Sequence, residues 1–370
     1  MAATETDSAK RGKTKDTTPL VDTDVHEGIR SLEELLPYVA PKWQSLLTSP
    51  GWHWYAPNGT EALPYLAPIT HGRAEWLDPD GEAHNTDPEL TAQHLFEEEG
   101  VSHAVLNGFM HFSRYKTDPE FITAMASAYN DWQIDTWLEK DQRFRGSVHC
   151  HAQYPEQAAR EIDRAAEHPS MVQVFLPFDD TRQFGDPFYR PIFEAAARND
   201  LAVSFHHSCA NKTILGYPRY YVEWHTLAAP QSGMGHATSL LFSGLFDELP
   251  ELRVILLETG VSWVPWLLFR ADQQYREVRA NVPWVRRLPS EIFRDNIRVA
   301  TQPITEVNSR ELMKIIELGD LEKVFVFATD YPHYDADSAD VIGSLPDDIR
   351  NRIRYENAFD AFPRIARDAA

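Results

Sequence analysis

Apolar residues, many of them β-branched, recur along the chain in short runs that turn residues or charges bound on both sides. Runs of this length and composition are typical of buried β-strands. We predict eight strands, over residues 20–24, 103–106, 145–148, 172–176, 202–206, 253–257, 297–300 and 324–328.

Most intervals between these runs carry apolar residues at helical spacing, as do Phe121, Met125, Tyr129 and Trp132. We predict helices over residues 119–139, 155–167, 187–198, 235–248, 263–279 and 309–317, several of which begin with proline in the first turn. The alternation of eight strands with helices predicts an α/β fold, a (β/α)8 TIM barrel rather than an open doubly wound sheet.

The interval between the first two strands, residues 27–100, is long and rich in Pro, Trp and Tyr. We interpret it as a lid or pocket wall within a single domain over residues 19–370, preceded by a flexible polar tail over residues 1–18. Its aromatic residues, together with others after strand two, either line a pocket for an apolar substrate body or plug the barrel mouth. They are Trp43, Trp52, Trp54, Tyr55, Trp76, Phe109 and Phe112.

Composition narrows the function classes. With 35 basic and 56 acidic side chains the formal charge is −21, which argues against binding to nucleic acid or to anionic membranes. The glycine patterns that bind dinucleotides or phosphates follow none of the predicted strands. No run approaches the roughly 20 apolar residues of a membrane span. Two cysteines, Cys150 and Cys209, cannot form a disulfide framework, so we expect a cytoplasmic protein.

Polar residues end the predicted apolar strands one, five, six and eight, where the catalytic groups of a TIM barrel lie. Strand one ends in Asp24 and His26, strand five in His206 and strand eight in Asp330. We predict that these four side chains hold one divalent ion, either zinc, manganese or iron. Taken singly, each histidine could instead be a hydrogen-bonded core residue, and Asp24 could cap the loop that follows it.

Each of the neighbouring residues has more than one candidate role. Glu258, at the end of strand six, is a candidate ligand, proton donor or ion-pair partner, and His207 is a candidate catalytic or packing residue. His333 is predicted to orient a metal ligand. The pair His149 and His151 either contacts substrate, contributes to a second metal site or lies on an exposed loop.

Six segments together resemble the amidohydrolase superfamily, in the branch that contains 2-amino-3-carboxymuconate semialdehyde decarboxylase and the aromatic acid decarboxylases. They are VDTDVHE, DQRFRGSVH, GDPFYRPIFEAAARNDLAVSFHHS, LFDELPELRVILLETGVSWVPWLLFRAD, FATDYPHYD and YENAFDAF. The resemblance covers residues 21–362. It implies a distorted (β/α)8 barrel, metal ligation by Asp24, His26, His206 and Asp330, and a homodimer.

The chain departs from that family pattern at three positions. Asp24 stands where many relatives have histidine, Glu258 stands where relatives have an acid–base histidine, and Gln173 replaces the strand-four lysine of the dinuclear hydrolases. A single metal ion is therefore favoured, because a second one would need unconventional ligands such as His149, His151 or Glu258.

The leading hypothesis is non-oxidative decarboxylation of an aromatic or unsaturated carboxylic acid. Asp330 or Glu258 would deliver the proton that replaces carbon dioxide, and we expect burial to raise the pKa of that acid. The alternatives are hydrolysis of an ester, lactone or amide by metal-bound water with Asp330 as base, and an iron-dependent oxygenase acting on a bulky apolar natural product. A binding protein with a purely structural metal is a fourth possibility.

Overall fold

The computed structural model describes residues 18–48, 72–73, 76, 85–108, 118–178, 182–207, 216, 218–304 and 308–368. The first 17 residues of the predicted tail lie outside this range, as do a large part of the predicted insertion and, with it, Trp54. Phe109 also lies outside the described residues.

Eight parallel strands form one sheet in which each strand pairs with the next one in the sequence. Their boundaries differ from the predicted ones by at most two residues. The strands are β1 (Val21–Val25), β2 (His103–Leu106), β3 (Phe144–His149), β4 (Met171–Pro177), β5 (Ala202–His206), β6 (Val254–Leu256), β7 (Ile297–Ala300) and β8 (Phe325–Val326).

Backbone hydrogen bonds join the first strand to the last one and its following loop. Thr23 N donates to Phe327 O at 3.0 Å, and Asp330 N donates to Asp24 O at 3.0 Å. The sheet therefore closes on itself, and the predicted TIM barrel is confirmed.

Helices connect the strands and follow the last one. They are α1 (Pro41–Thr48), α2 (Pro88–Ala92), α3 (Pro119–Gln133), α4 (Pro155–Ala165), α5 (Arg190–Arg198), α6 (Tyr221–Phe242), α7 (Leu245–Glu248), α8 (Val264–Val278), α9 (Pro289–Asn296), α10 (Ser309–Gly319), α11 (Asp347–Asn351), α12 (Asn357–Ala361) and α13 (Pro363–Asp368). No helix in the described part of the chain combines the length and apolarity that crossing a bilayer requires.

The predicted helix over residues 235–248 is wrong in both extent and continuity, since α6 starts at Tyr221 and α7 is a separate helix. Pro230 and Gly233 are usual signs of a helix end, yet both lie inside α6. A Cβ on Gly233 would lie 3.0 Å from Cγ2 of Thr259, so glycine lets α6 approach the loop after β6. Gly244, with φ of +80°, ends α6 and starts α7.

The barrel interior is apolar at the end opposite the carboxyl ends of the strands. Val21, Val105 and Ile255 share one buried cluster with Phe362 and Ile365 of the C-terminal segment. Arg364 anchors that segment, because its Nη1 donates to the carbonyl oxygen of Met171, the first residue of β4. The other end of the barrel is left for the polar side chains.

Candidate metal centre

Four of the predicted ligands meet at the carboxyl end of the barrel. Asp24 and His26 leave β1 on the same face because they are two residues apart, His206 ends β5, and Asp330 follows β8. Each offers one donor atom, these atoms lie within 4.8 Å of one another, and all four residues are buried. The barrel thus brings together side chains that are up to 306 positions apart in the sequence.

The distances within this group suit a cation. Nε2 of His26 lies 2.9 Å from Oδ1 of Asp330 and 3.6 Å from Oδ1 of Asp24. Nε2 of His206 lies 3.7 Å from Oδ2 of Asp24, an oxygen that makes no hydrogen bond to the described residues although Asp24 is fully buried. A buried carboxylate oxygen with no donor is costly, and a divalent ion shared with two imidazoles would satisfy it.

Asp24 is held by a network of buried amides inside the barrel. Asn107, just after β2, donates from Nδ2 to Oδ1 of Asp24 at 2.6 Å and to the carbonyl oxygen of Thr23 at 3.1 Å. Its own Oδ1 accepts from Ser147 Oγ at 2.8 Å and from Gln173 Nε2 at 2.6 Å. Gln173, predicted to replace the strand-four lysine of the dinuclear hydrolases, therefore bonds to Asn107, which in turn bonds to the candidate ligand Asp24.

His26 is oriented from the opposite side. Its Nδ1 lies 3.0 Å from the carbonyl oxygen of Gly108, and the Gly108 N–H donates to Oε2 of Glu27 at 2.7 Å. Glu27 is itself bonded to the Tyr129 hydroxyl at 3.0 Å and to the side chain of Gln133. Because the Gly108 carbonyl oxygen accepts from Nδ1, the ring proton lies on Nδ1. Nε2 then faces the carboxylate oxygens of Asp24 and Asp330.

Two acidic residues of the site have left-handed backbone conformations. Glu258 has φ of 50° and Asp330 has φ of 63°. Such a conformation costs free energy for any residue other than glycine. It is retained where contacts with the surrounding structure fix the loop, often at functional sites. Asp22 supplies such contacts for the second loop, since its carboxylate accepts from the Thr329 backbone N–H at 2.9 Å and from the Thr329 hydroxyl at 2.5 Å.

Glu258 lies among three histidines. Its Oε2 is 3.1 Å from Nε2 of His206 and 2.5 Å from Nε2 of His207, and its Oε1 is 3.4 Å from Nε2 of His225. His225 also lies 3.5 Å from Oδ2 of Asp335. Glu258 therefore lies beside the candidate ligands. Its role as ligand, proton donor or ion-pair partner stays a prediction.

The expected rise in the pKa of the candidate acids is wrong. Burial alone would raise the pKa of Glu258, but electrostatic attraction to His207 and contacts with the other imidazoles outweigh burial and hold that pKa well below its usual range. Burial is likewise outweighed at Asp330, where His333 at 2.7 Å lowers the pKa.

In the Glu258–His225 and Asp330–His333 pairs the proton therefore lies on the imidazole. Burial opposes the charged form, yet Glu258 raises the pKa of His225 to about 9, and Asp330 raises the pKa of His333. Burial lowers the pKa of His207 to about 4, so this ring is neutral at physiological pH.

The other predicted residues lie around this group. His333 contacts Asp330 as predicted, and its ring centroid lies 4.9 Å from that of His26. His149 and His151 are both buried, and His149 packs at 4.7 Å against the Tyr129 ring and at 5.3 Å against Phe175. Neither belongs to a potential ligand group within the described part of the chain.

Sequence reasoning missed His225 and Asp335. His225 lies near the start of α6 and Asp335 lies in the loop beyond β8, so neither stands directly at a strand end. Glu27 and Asn107, which position His26 and Asp24, were also missed as positioning residues. The signal for both was their place directly after strand-end motifs.

Comparison with known proteins agrees with this geometry. The profile of the family described as amidohydrolase matches residues 21–364. This chain belongs to the amidohydrolase family. The superfamily resemblance expected from the motifs is confirmed.

The curated relatives of this family member include several gamma-resorcylate decarboxylases. The one from Polaromonas sp. strain JS666 is 24% identical over 284 residues, which cover 72% of this chain and 85% of the relative. The one from Rhodococcus jostii strain RHA1 is 29% identical over 227 residues, covering 56% of this chain and 66% of the relative.

Solved structures share the fold. A dihydroxybenzoic acid decarboxylase from Polaromonas sp. JS666, with bound manganese and the inhibitor 2-nitroresorcinol, has a TM-score of 0.64 at 18% identity and covers 94% of this chain and 97% of its own. An amidohydrolase from Mycobacterium avium subsp. paratuberculosis K-10 has a TM-score of 0.71 at 18% identity, covering 93% and 98%. At these identities the likeness shows the barrel fold alone.

Proposed function

We propose that this protein is a metal-dependent, non-oxidative decarboxylase of an aromatic or unsaturated carboxylic acid. The observation that carries the proposal is the buried convergence of Asp24, His26, His206 and Asp330 at the catalytic end of an amidohydrolase barrel. The names of the curated relatives and the manganese in a structural neighbour support it.

The four residues would hold one divalent ion, and zinc, manganese and iron all suit their nitrogen and oxygen donors. When bound, the ion supplies positive charge for the substrate carboxylate and a neighbouring oxygen. Asn107 and Gly108 keep Asp24 and His26 aimed at the common centre through the hydrogen bonds described above.

The chain itself supplies the proton. Decarboxylation breaks the bond between the ring carbon and the carboxylate carbon, releases carbon dioxide and leaves an electron pair that takes up one proton. We propose that the proton comes from the Asp330–His333 pair, whose Oδ2 and Nδ1 atoms lie 2.7 Å apart. The Glu258–His225 pair, at 3.4 Å, is the second possible source. His207 orients Glu258 from the other side at 2.5 Å.

The insertion is proposed to cover the substrate. Its Trp76, which is 5% exposed, packs at 4.6 Å against the ring of Tyr331, directly after Asp330. Asn85 donates from Nδ2 to the carbonyl oxygen of His26 at 3.1 Å. Trp76 and Asn85 of this segment therefore contact the loops that carry two candidate ligands, and we propose that His149 and His151 face the same substrate space.

Product analysis tests the proposed reaction. Purified protein is incubated with a panel of hydroxylated benzoic acids in D₂O, and we expect carbon dioxide release with one deuterium at the vacated ring carbon. Asp330→Asn should lose this activity because it removes an acid–base group, whereas Asp163→Asn, which changes an exposed ion pair on α4, should not. Uptake of labelled oxygen from water, with no carbon dioxide released, would instead identify a hydrolase.

An iron-dependent oxygenase is the second candidate, because Glu258 and His207 add donors to the centre beyond the four-residue group. Hydroxylation would place one atom of dioxygen into a substrate C–H bond and release the other as water, with two electrons from an external reductant. Dioxygen consumption coupled to substrate loss, with label from ¹⁸O₂ in the product, would distinguish it. If decarboxylation, hydrolysis and hydroxylation were all absent, the metal would have a purely structural role.

We also propose a cytoplasmic homodimer. Trp266 and Phe269, on one face of α8, are 62% and 53% exposed, which is unusual for large apolar side chains that stay in water. The chain has only two cysteines in 370 residues, Cys150 and Cys209, which suits a reducing compartment. Light scattering of the purified protein and of Trp266→Ser tests the dimer, since the variant should shift towards the mass of one chain.

A further inference from the structure

A cavity of about 690 Å³ lies at the amino end of the barrel, opposite the candidate metal centre. Arg253 directly precedes β6, Arg298 is the second residue of β7 and Lys323 lies just before β8, and all three line this cavity. Arg352 and Asp360, from the segment that follows β8, also line it. Clefts that bind small molecules usually have volumes of roughly 300–1,000 Å³, so this cavity is large enough for a metabolite.

The lining of the cavity is positively charged, although the chain as a whole is acidic. Six of the 35 basic side chains line it, together with four acidic ones, which leaves an excess of two positive charges in a protein of formal charge −21. The six are Arg253, Arg287, Arg294, Arg298, Lys323 and Arg352. A concave surface of one charge concentrates ions of the opposite charge, so the cavity favours anions.

Two of these cations are held in ion pairs. Arg287 lies 2.6 Å from Asp295, and Arg294 lies 3.3 Å from Asp320, which does not line the cavity. The remaining four cations still outnumber the three remaining acidic residues of the lining. Pairing within the protein therefore does not remove the positive excess.

Three of the remaining cations have donors that the protein does not use. Within the described residues, Lys323 makes no ion pair or hydrogen bond, and Arg352 pairs only with Glu356, at 3.8 Å. Arg253 pairs with Asp360 through Nε at 3.3 Å and donates to backbone carbonyl oxygens from Nη1. Its Nη2 has no acceptor in the described part of the chain. These donors are therefore available to a ligand in the cavity.

Arg298 points independently to an anionic ligand, since only 3% of its surface is exposed. Its Nη1 donates to the carbonyl oxygen of Arg294 at 3.0 Å, and its Nη2 pairs with Asp360, which Arg253 shares. Its buried Nε has no acceptor among the residues that the structure describes. Burial lowers the pKa of Arg298 despite the attraction of Asp360. One shared carboxylate thus leaves the buried charge partly uncompensated, and a further anion would stabilise it.

The chemistry of the lining suits a phosphate group. Arginine binds phosphate through two parallel N–H···O bonds, and a phosphate monoester carries about −1.5 to −2 charges near pH 7, comparable with the positive excess. We propose that this cavity binds the phosphate group of a small phosphate monoester, with Arg253, Lys323 and Arg352 as donors and Arg298 adding its buried positive charge. The cavity lies at the opposite end of the barrel from the candidate metal centre, so the inference holds whichever reaction that centre catalyses.

Isothermal titration calorimetry of the full chain, as purified, tests the site. The probes are inorganic phosphate and adenosine 5′-monophosphate, which share the phosphate group and differ in the organic body. We expect both to bind the wild type. Lys323→Gln and Arg352→Gln should each weaken binding about tenfold or more, because each removes a charge-assisted hydrogen bond to the phosphate.

Two further variants locate the binding site. Lys314→Gln is the matched control, because Lys314 is also exposed and without an ion pair to the described residues but lies on α10, outside the cavity. It changes the net charge equally and should bind both probes as the wild type does. His26→Ala, at the candidate metal centre, should also keep phosphate binding. Circular dichroism and thermal melting check that each variant is folded.

Three results would overturn the inference. They are failure of both probes to bind at millimolar concentration, wild-type affinity in both folded cavity variants, and loss of binding in His26→Ala alone, which would place the phosphate at the metal centre. The proposed reaction fails separately. A protein that releases carbon dioxide from the acid panel but binds neither probe would refute this site alone. One that binds both probes but releases no carbon dioxide would refute the decarboxylase alone.

Discussion

Replacing Asn107 with alanine tests whether the buried amide network controls the metal centre. The substitution removes Nδ2, which donates to Asp24 Oδ1 at 2.6 Å and to the carbonyl oxygen of Thr23 at 3.1 Å. Each buried acceptor left without a donor costs about 1–3 kcal/mol, so two of them cost about 2–6 kcal/mol in the metal-free protein. Ser147 and Gln173 lose an acceptor but keep their mutual bond at 2.9 Å.

The same substitution should weaken metal binding, because Asp24 is no longer held towards His26 and His206. Loss of a residue that orients a ligand typically lowers metal affinity 10–100-fold, which is about 1.4–2.7 kcal/mol. The matched control is Asn357→Ala. Asn357 is also buried and also donates to two carbonyl oxygens, those of Glu322 at 2.9 Å and Phe325 at 2.8 Å, but it is the first residue of α12, on the C-terminal segment.

Urea unfolding of metal-free protein measures the stability of both variants, and calorimetric titration with Mn²⁺ measures affinity. We expect comparable losses of stability, with weaker binding in Asn107→Ala alone. If Asn107→Ala bound Mn²⁺ as tightly as the wild type while losing the same stability as Asn357→Ala, Asn107 would serve folding only and the reasoning would be refuted.

Two further substitutions test positions where the structure makes a specific demand. In Gly108→Ala the new Cβ would lie 2.3 Å from the Tyr129 hydroxyl at a φ of +60°, so we expect both lower stability and lower Mn²⁺ affinity. Gly100→Ala has a similar φ of +75° and nothing within 4 Å, so calorimetry should show unchanged affinity. Equal affinities for the two would refute the steric argument. Burial raises the pKa of Asp337 from 3.8 to about 7, so ionisation costs the folded state about 4 kcal/mol above pH 7, a cost absent below pH 4. Asp337→Asn should therefore gain stability relative to the wild type as pH rises from 4 to 8, and a pH-independent difference in urea unfolding would contradict this.

The barrel could be predicted because its strands are almost fully buried. Strands covered on both faces appear as continuous apolar runs, which is why residues 202–206 and 297–300 were found with their observed boundaries. Since parallel strands of a barrel deliver their carboxyl ends to one rim, Asp24, His206 and Asp330 could be placed together from three distant segments. These inferences need only local pattern and the geometry of the fold class.

The remaining parts of the site depend on tertiary packing. His225 reaches Glu258 only because α6 continues through Pro230 and approaches the loop after β6 at Gly233, features that locally indicate a break. The pKa of Glu258 depends on which imidazoles surround it, so the apolar run before it suggested a rise where the structure gives a fall. Neither result could follow from residues 253–258 alone.

Buried polar residues inside the strands are a signal of the hydrogen-bond network that the sequence already contains. Ser147 and Gln173 interrupt the apolar runs of β3 and β4, and both are fully buried. A polar side chain inside a buried strand is costly unless it is hydrogen-bonded, so each interruption implies a partner on a neighbouring strand. β2 is the neighbour of β3, and Asn107 directly follows β2. Because Asn107 also bonds Asp24, this network extends from β4 to β1 and links the barrel interior to the candidate metal ligands.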